Sequence, residues 1–93
     1  MPTILELYGY RIFLWSGEGN PLEPVHFHIC KGNPRGNTTK IWITDSGGTV
    51  VAYRDNDIPE HDLRRLLRAL TKHLPKIAAI YTAVTGCADF YEE

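Results

Sequence analysis

The stretch Pro24-Val25-His26-Phe27-His28-Ile29 decides how this chain folds. Val25, Phe27 and Ile29 alternate with His26 and His28, and along an extended strand successive side chains point to opposite faces of the pleat. The pattern predicts one apolar face turned toward a core and two neighbouring imidazoles on the other.

Outward from this strand, the first half of the chain reads as short strands separated by turns. A strand is predicted over Tyr8 to Trp15, ending in the turn-rich loop Ser16-Gly17-Glu18-Gly19-Asn20-Pro21. The histidine strand runs from Val25 to about Lys31. After the turn Gly32-Asn33-Pro34-Arg35-Gly36-Asn37 comes a strand at Lys40 to Thr44, and Asp45-Ser46-Gly47-Gly48 is a hairpin signal that returns the chain over Thr49 to Tyr53.

Beyond Arg54 the period lengthens. Leu63, Leu67, Leu70, Leu74, Ile77, Tyr81 and Val84 draw one apolar stripe at spacings of four and three, which predicts helix. Asp57 with Glu60 resembles a capping box. Pro75 predicts a kink, or a restart with the proline in a first turn, and Gly86 a C-terminal stop. The expected fold is α+β, a small antiparallel sheet of about four strands with two helical segments packed on one face, as a single domain over residues 1–93.

The 93 residues carry 10 Lys plus Arg against 11 Asp plus Glu, a formal charge of -1. That balance excludes a global electrostatic attraction to nucleic acid or anionic membrane, so any such contact needs a local patch. Cys30 and Cys87 form no Cys-x-x-Cys pair, which argues against a disulfide scaffold or a thiolate zinc site. The N-terminal residues lack the basic segment and long apolar run of a secretory signal, and no stretch is apolar enough to span a bilayer. A cytoplasmic protein without membrane partners is expected.

Three kinds of chemistry suit the histidines. His26 and His28 are close enough to share a divalent metal, but a pair is half a site. Cys30 lies about 13 Å from His26 along an extended strand, and Asp45, Asp55, Asp57, His61 and His73 stand at no diagnostic spacing. No cofactor is therefore expected. As acid and base, the two imidazoles with Lys40 would suit an RNase-like reaction on a phosphodiester. As a surface, His26, His28, Lys40 and Trp42, joined by Arg11 and Tyr53, would offer cations and aromatic planes to nucleic acid, unless the N-terminal segment, a tail or another subunit covers them. The plainest alternative is structural, with the imidazoles bonded to carbonyls of the loop Gly17 to Pro21. The helix adds a basic ridge of Arg65, Arg68, Lys72 and Lys76, which reads either as a solvated face or as a nucleic-acid contact. Ser16 and Ser46 sit in no nucleophile-elbow pattern, and no phosphate-binding glycine loop is present.

The run from Trp15 through Glu18-Gly19-Asn20-Pro21 and Glu23-Pro24-Val25-His26-Phe27-His28-Ile29, followed by Lys40-Ile41-Trp42-Ile43 and a leucine-striped helix, resembles the small bacterial family called domain of unknown function four-one-six-zero. The resemblance marks Asn20, Pro24, His26, His28 and Lys40. It implies an interaction or regulatory module in a bacterial cytoplasm, one half of a toxin–antitoxin-like two-gene pair whose partner is a small protein encoded beside it, with self-association as the other arrangement. A small RNase-like toxin using the histidine pair is the alternative, and a His-x-His metal-binding protein the second.

Overall fold

Alternating strands with one apolar face cannot stay in water unless a second layer covers that face, and the leucine-striped segment supplies it. A computed structural model describes residues 3–14, 24–32, 38–55, 57–86 and 89–92. Five antiparallel strands, β1 (Thr3–Leu7), β2 (Tyr10–Phe13), β3 (His26–Lys31), β4 (Thr39–Ile43) and β5 (Thr49–Tyr53), pair strictly in sequence order. A helical run of 26 residues follows, made of α1 (Glu60–Leu70), a 3-10 turn at Thr71–His73 and α2 (Leu74–Thr85).

The architecture is α+β, with two corrections to the expected count. The sheet has five strands because the expected strand from Tyr8 onward is the second arm of a hairpin. Tyr8 (φ 52°) and Gly9 (φ 81°) are both left-handed, the geometry of a tight two-residue turn whose twist matches its flanking strands. The turn folds Thr3–Leu7 back on Tyr10–Phe13, with Leu7 opposite Tyr10 and Glu6 opposite Arg11. The helical region is one run rather than two separate segments. Pro75 sits in the first turn of α2, and the chain passes it through the 3-10 turn without an intervening loop. The expected capping box is not formed: Pro59 stands at the N-cap without a side-chain cap bond, and the Asp57 N–H donates instead to Asp55 Oδ1 at 3.1 Å. Gly86 ends α2 in the left-handed conformation, its N–H donating to the Thr82 carbonyl at 2.8 Å.

The core lies between the layers. From the sheet come Tyr10, Ile12, Leu14, Val25, Phe27, Ile29, Ile41 and Ile43, and from the other layer Ile58, Leu63, Leu66, Leu70, Leu74, Ile77 and Tyr81. Leu66 joins the expected stripe, Leu67 is only half-buried, and Val84 is exposed. Residues 89–92 return to the sheet: Asp89 accepts from the Val25 N–H, the Tyr91 N–H donates to the Ile43 carbonyl, and the Asp45 N–H donates to Tyr91. Tyr91 thereby forms a parallel bridge with Thr44 beside the start of β3.

Candidate functional site

Strand register decides which candidate residues meet. His28 stands opposite Phe13 on β2 and Lys40 on β4, His26 opposite Trp42, Cys30 opposite Arg11, and Lys40 opposite Tyr53. Because facing residues in a ladder point the same way, Arg11, His26, His28, Lys40, Trp42 and Tyr53 share the side of the pleat that alternates with Ile12, Phe27, Ile29 and Ile41. Asn20 and the loop Ser16 to Pro21, with its carbonyls, lie outside the described residues, as do Trp15 and Cys87.

Burial corrects the expectation of a displayed surface at the histidines. His26 is 0% exposed and His28 6%. Their rings meet edge to face at a centroid separation of 5.3 Å and an interplanar angle of 85°. His28 stacks on Phe13 at 5.4 Å, and His26 meets Tyr81 of α2 at 5.1 Å. His26 Nδ1 donates to the Pro24 carbonyl at 2.9 Å, which fixes the proton on that nitrogen, and His28 Nδ1 bonds to the buried Thr38 hydroxyl at 3.1 Å. The pair thus joins aromatic packing to polar contacts at Pro24 and Thr38, and the expected bonds to carbonyls of Gly17 to Pro21 fall on residues outside the described ones.

The surroundings grade from buried to open. Trp42 stacks on Tyr91 at 4.4 Å, and its indole N–H is buried without an acceptor among the described residues. Arg11 sits 3.5 Å from Glu6 Oε1. Cys30 is a buried free thiol whose Sγ donates to the Gly32 carbonyl at 3.5 Å; burial pushes its pKa up, and the Arg11 charge partly opposes that rise. Tyr53 is exposed. Among the described residues no group of three or more His, Cys, Asp or Glu side chains is placed to hold a metal ion.

Arg65 and Arg68 are not part of this cluster. Arg65 lies over the Tyr8 ring at 3.7 Å, and Arg68 lines a hollow with Leu7, Tyr8 and Lys72, at the β1–β2 turn. That turn adjoins the Lys31 end of β3, whereas His26 begins the strand. Four residues that shape the cluster were not tied to it by the sequence: Tyr81 reads only as part of the helical stripe, Phe13 only as part of the first strand, and Thr38 and Tyr91 carry no signal. Only the β3–β4 register, which places Thr38 just beyond the Ile29–Thr39 pair, would have pointed to the first hydroxyl.

These features define a small α+β protein with a five-stranded meander and a buried histidine pair. No helix among the described residues is long and apolar enough to cross a membrane. The model of the family described as Domain of unknown function (DUF4160) matches residues 9–81, and the chain belongs to that family. The match covers β2 to β5 and nearly all of the helical run, leaving β1 and the returning tail outside it. No curated protein and no solved structure matches the chain.

Proposed function

We propose that this protein is an interaction module of a bacterial cytoplasm that takes up an extended segment of a partner protein along β5. The observation that carries the reading is the character of that edge. Thr49-Val50-Val51-Ala52-Tyr53 bears no charge and no proline, leaves Val51 42% and Tyr53 48% exposed, and has no strand on its outer side among the described residues. Solitary sheet edges are ordinarily guarded by charge, proline or brevity, because their free N–H and C=O groups template further pairing. The opposite edge follows that rule, with Glu6 in β1. An unguarded apolar edge of five residues suits strand addition, in which main-chain bonds supply affinity and alternate side chains supply selectivity.

The partner proposed is the small protein that the family resemblance sets beside this one in a two-gene, toxin–antitoxin-like pair. The histidines then serve as the polar keystone under the sheet. Their burial beside Phe13 and Tyr81 favours this role over an RNase-like one, which would require a phosphodiester to reach the imidazoles. The free Cys30 thiol accords with a reducing compartment.

The test is co-expression with the neighbouring gene product, read by size-exclusion chromatography and hydrogen exchange. Co-elution with new protection of the amides of 49–53, both lost in Val51→Lys, is the expected result. Equal capture by wild type and Val51→Lys would overturn the reading, and a homodimer that protects β5 without the neighbour would replace its partner by a second copy.

A further inference from the structure

The basic ridge has a feature that a solvated helix face does not require. Arg65, Arg68, Lys72 and Lys76 are all exposed, and no carboxylate pairs with any of them among the described residues. The acids of α1 are engaged elsewhere: Glu60 with Arg64 at 3.1 Å, and Asp62 with the Tyr10 hydroxyl and with His61. Arg68 and Lys72, with His73, Leu7 and Tyr8, line a hollow of about 530 Å³.

A second observation comes from the other wall. Tyr8 holds φ at 52°, a left-handed conformation that a bulky L-residue adopts only at a cost and that Gly or Asn would occupy easily. An aromatic ring is nonetheless kept there, 51% exposed, with the Arg65 guanidinium on one face at 3.7 Å. Backbone strain retained under an exposed side chain points to a use for that side chain. A presented π-surface beside unpaired cations combines the two elements by which sequence-tolerant sites hold single strands, stacking for a base and positive charge for phosphates.

We propose that the hollow between the β1–β2 turn and the helical run binds single-stranded nucleic acid, one base stacking at Tyr8 and neighbouring phosphates lying on Arg68 and Lys72. An acidic peptide would satisfy the cations and leave the ring unused. With a formal charge of -1 the whole protein gives no long-range attraction, so the contact is local and strongly weakened by salt. The site lies on helix and turn rather than on β5, and its test is independent of the edge-strand reading.

The experiment is fluorescence anisotropy of a labelled single-stranded RNA of about ten nucleotides, titrated at several salt concentrations, with circular dichroism of each variant to confirm folding. Arg68→Gln with Lys72→Gln should weaken binding about tenfold or more and make the log–log salt slope shallower by about 1.4, two phosphates' worth. Tyr8→Asn keeps a residue that tolerates positive φ; it should weaken binding about tenfold with the slope unchanged. Arg64→Gln removes a charge already neutralised by Glu60 and should stay within about twofold. The proposal is overturned if the wild type fails to bind at about 50 mM salt, if Arg64→Gln loses as much as Arg68→Gln with Lys72→Gln, or if poly-aspartate competes as well as unlabelled RNA. Val51→Lys should bind the RNA like wild type whatever its effect on the protein partner.

Discussion

The Tyr10 hydroxyl donates to Asp62 Oδ2 at 3.0 Å, joining β2 to the first turn of α1 across 52 positions of sequence. Asp62 also suits the positive end of the helix dipole, so one carboxylate serves the helix start and the packing of helix on sheet.

This bond should make stability sensitive to alkali. Burial, then the hydrogen bond to Asp62 and its negative charge, raise the Tyr10 phenol above its ordinary 10.0. A folded value above the unfolded one means that the native state holds the proton more tightly. The contribution is therefore complete below the unfolded value and is lost as pH rises through the folded one. The difference in melting temperature between wild type and Tyr10→Phe, measured from about pH 8 to 11, should be constant up to about pH 10 and shrink as pH rises beyond it. A gap that does not narrow between about pH 10 and 11 would disprove the linkage.

Replacing either buried imidazole should destabilise the fold. His26→Ala and His28→Ala each remove a ring from close packing and break a bond to Pro24 or Thr38, at a cost of about 2–4 kcal/mol. Urea denaturation measures it, and two variants as stable as wild type would show that the pair does not hold the sheet together.

Gly9 tests the tight turn. A Cβ there would meet nothing within 4 Å, so any penalty for Gly9→Ala comes from its φ of 81° alone. The expected loss is about 1–2 kcal/mol. A neutral result would indicate a turn of different conformation.

The returning tail should contribute measurably through Tyr91 and little through its neighbour. Tyr91→Ala removes the stack on Trp42 and should cost about 1–2 kcal/mol, whereas Phe90→Ala, at a residue 40% exposed, should stay within about 0.5. Equal losses at the two positions would contradict the assigned stacking.

Much of this was readable from the chain. Alternation around Phe27 separated the core face from the histidine face, Asp45 to Gly48 marked the β4–β5 hairpin, and the leucine period gave the helical layer. β1 was hidden because Tyr8-Gly9 is an unusual tight turn, lacking the Asn or Asp that normally tolerates its first position, and because Leu5 and Glu6 carry no strand preference. The capping box failed because Pro59 took the N-cap position. For the histidine cluster, period showed which way the rings point but not what lies over them. Burial depends on Phe13, Thr38 and Tyr81, which reach the pair through register and helix packing rather than through local pattern.

The strictly sequential meander also governs the order in which the molecule can assemble. Every strand finds its strand neighbour within the first 53 residues, so the five-stranded pairing is complete in the chain before α1 begins and only the Thr44–Tyr91 bridge is added after it. Until that helix follows, Phe27, Ile29 and Ile41 have no cover, and the nascent chain presents a sticky slab to chaperones and to its own kind. Released chains truncated at Pro59 should therefore bind holdases that the 93-residue chain does not.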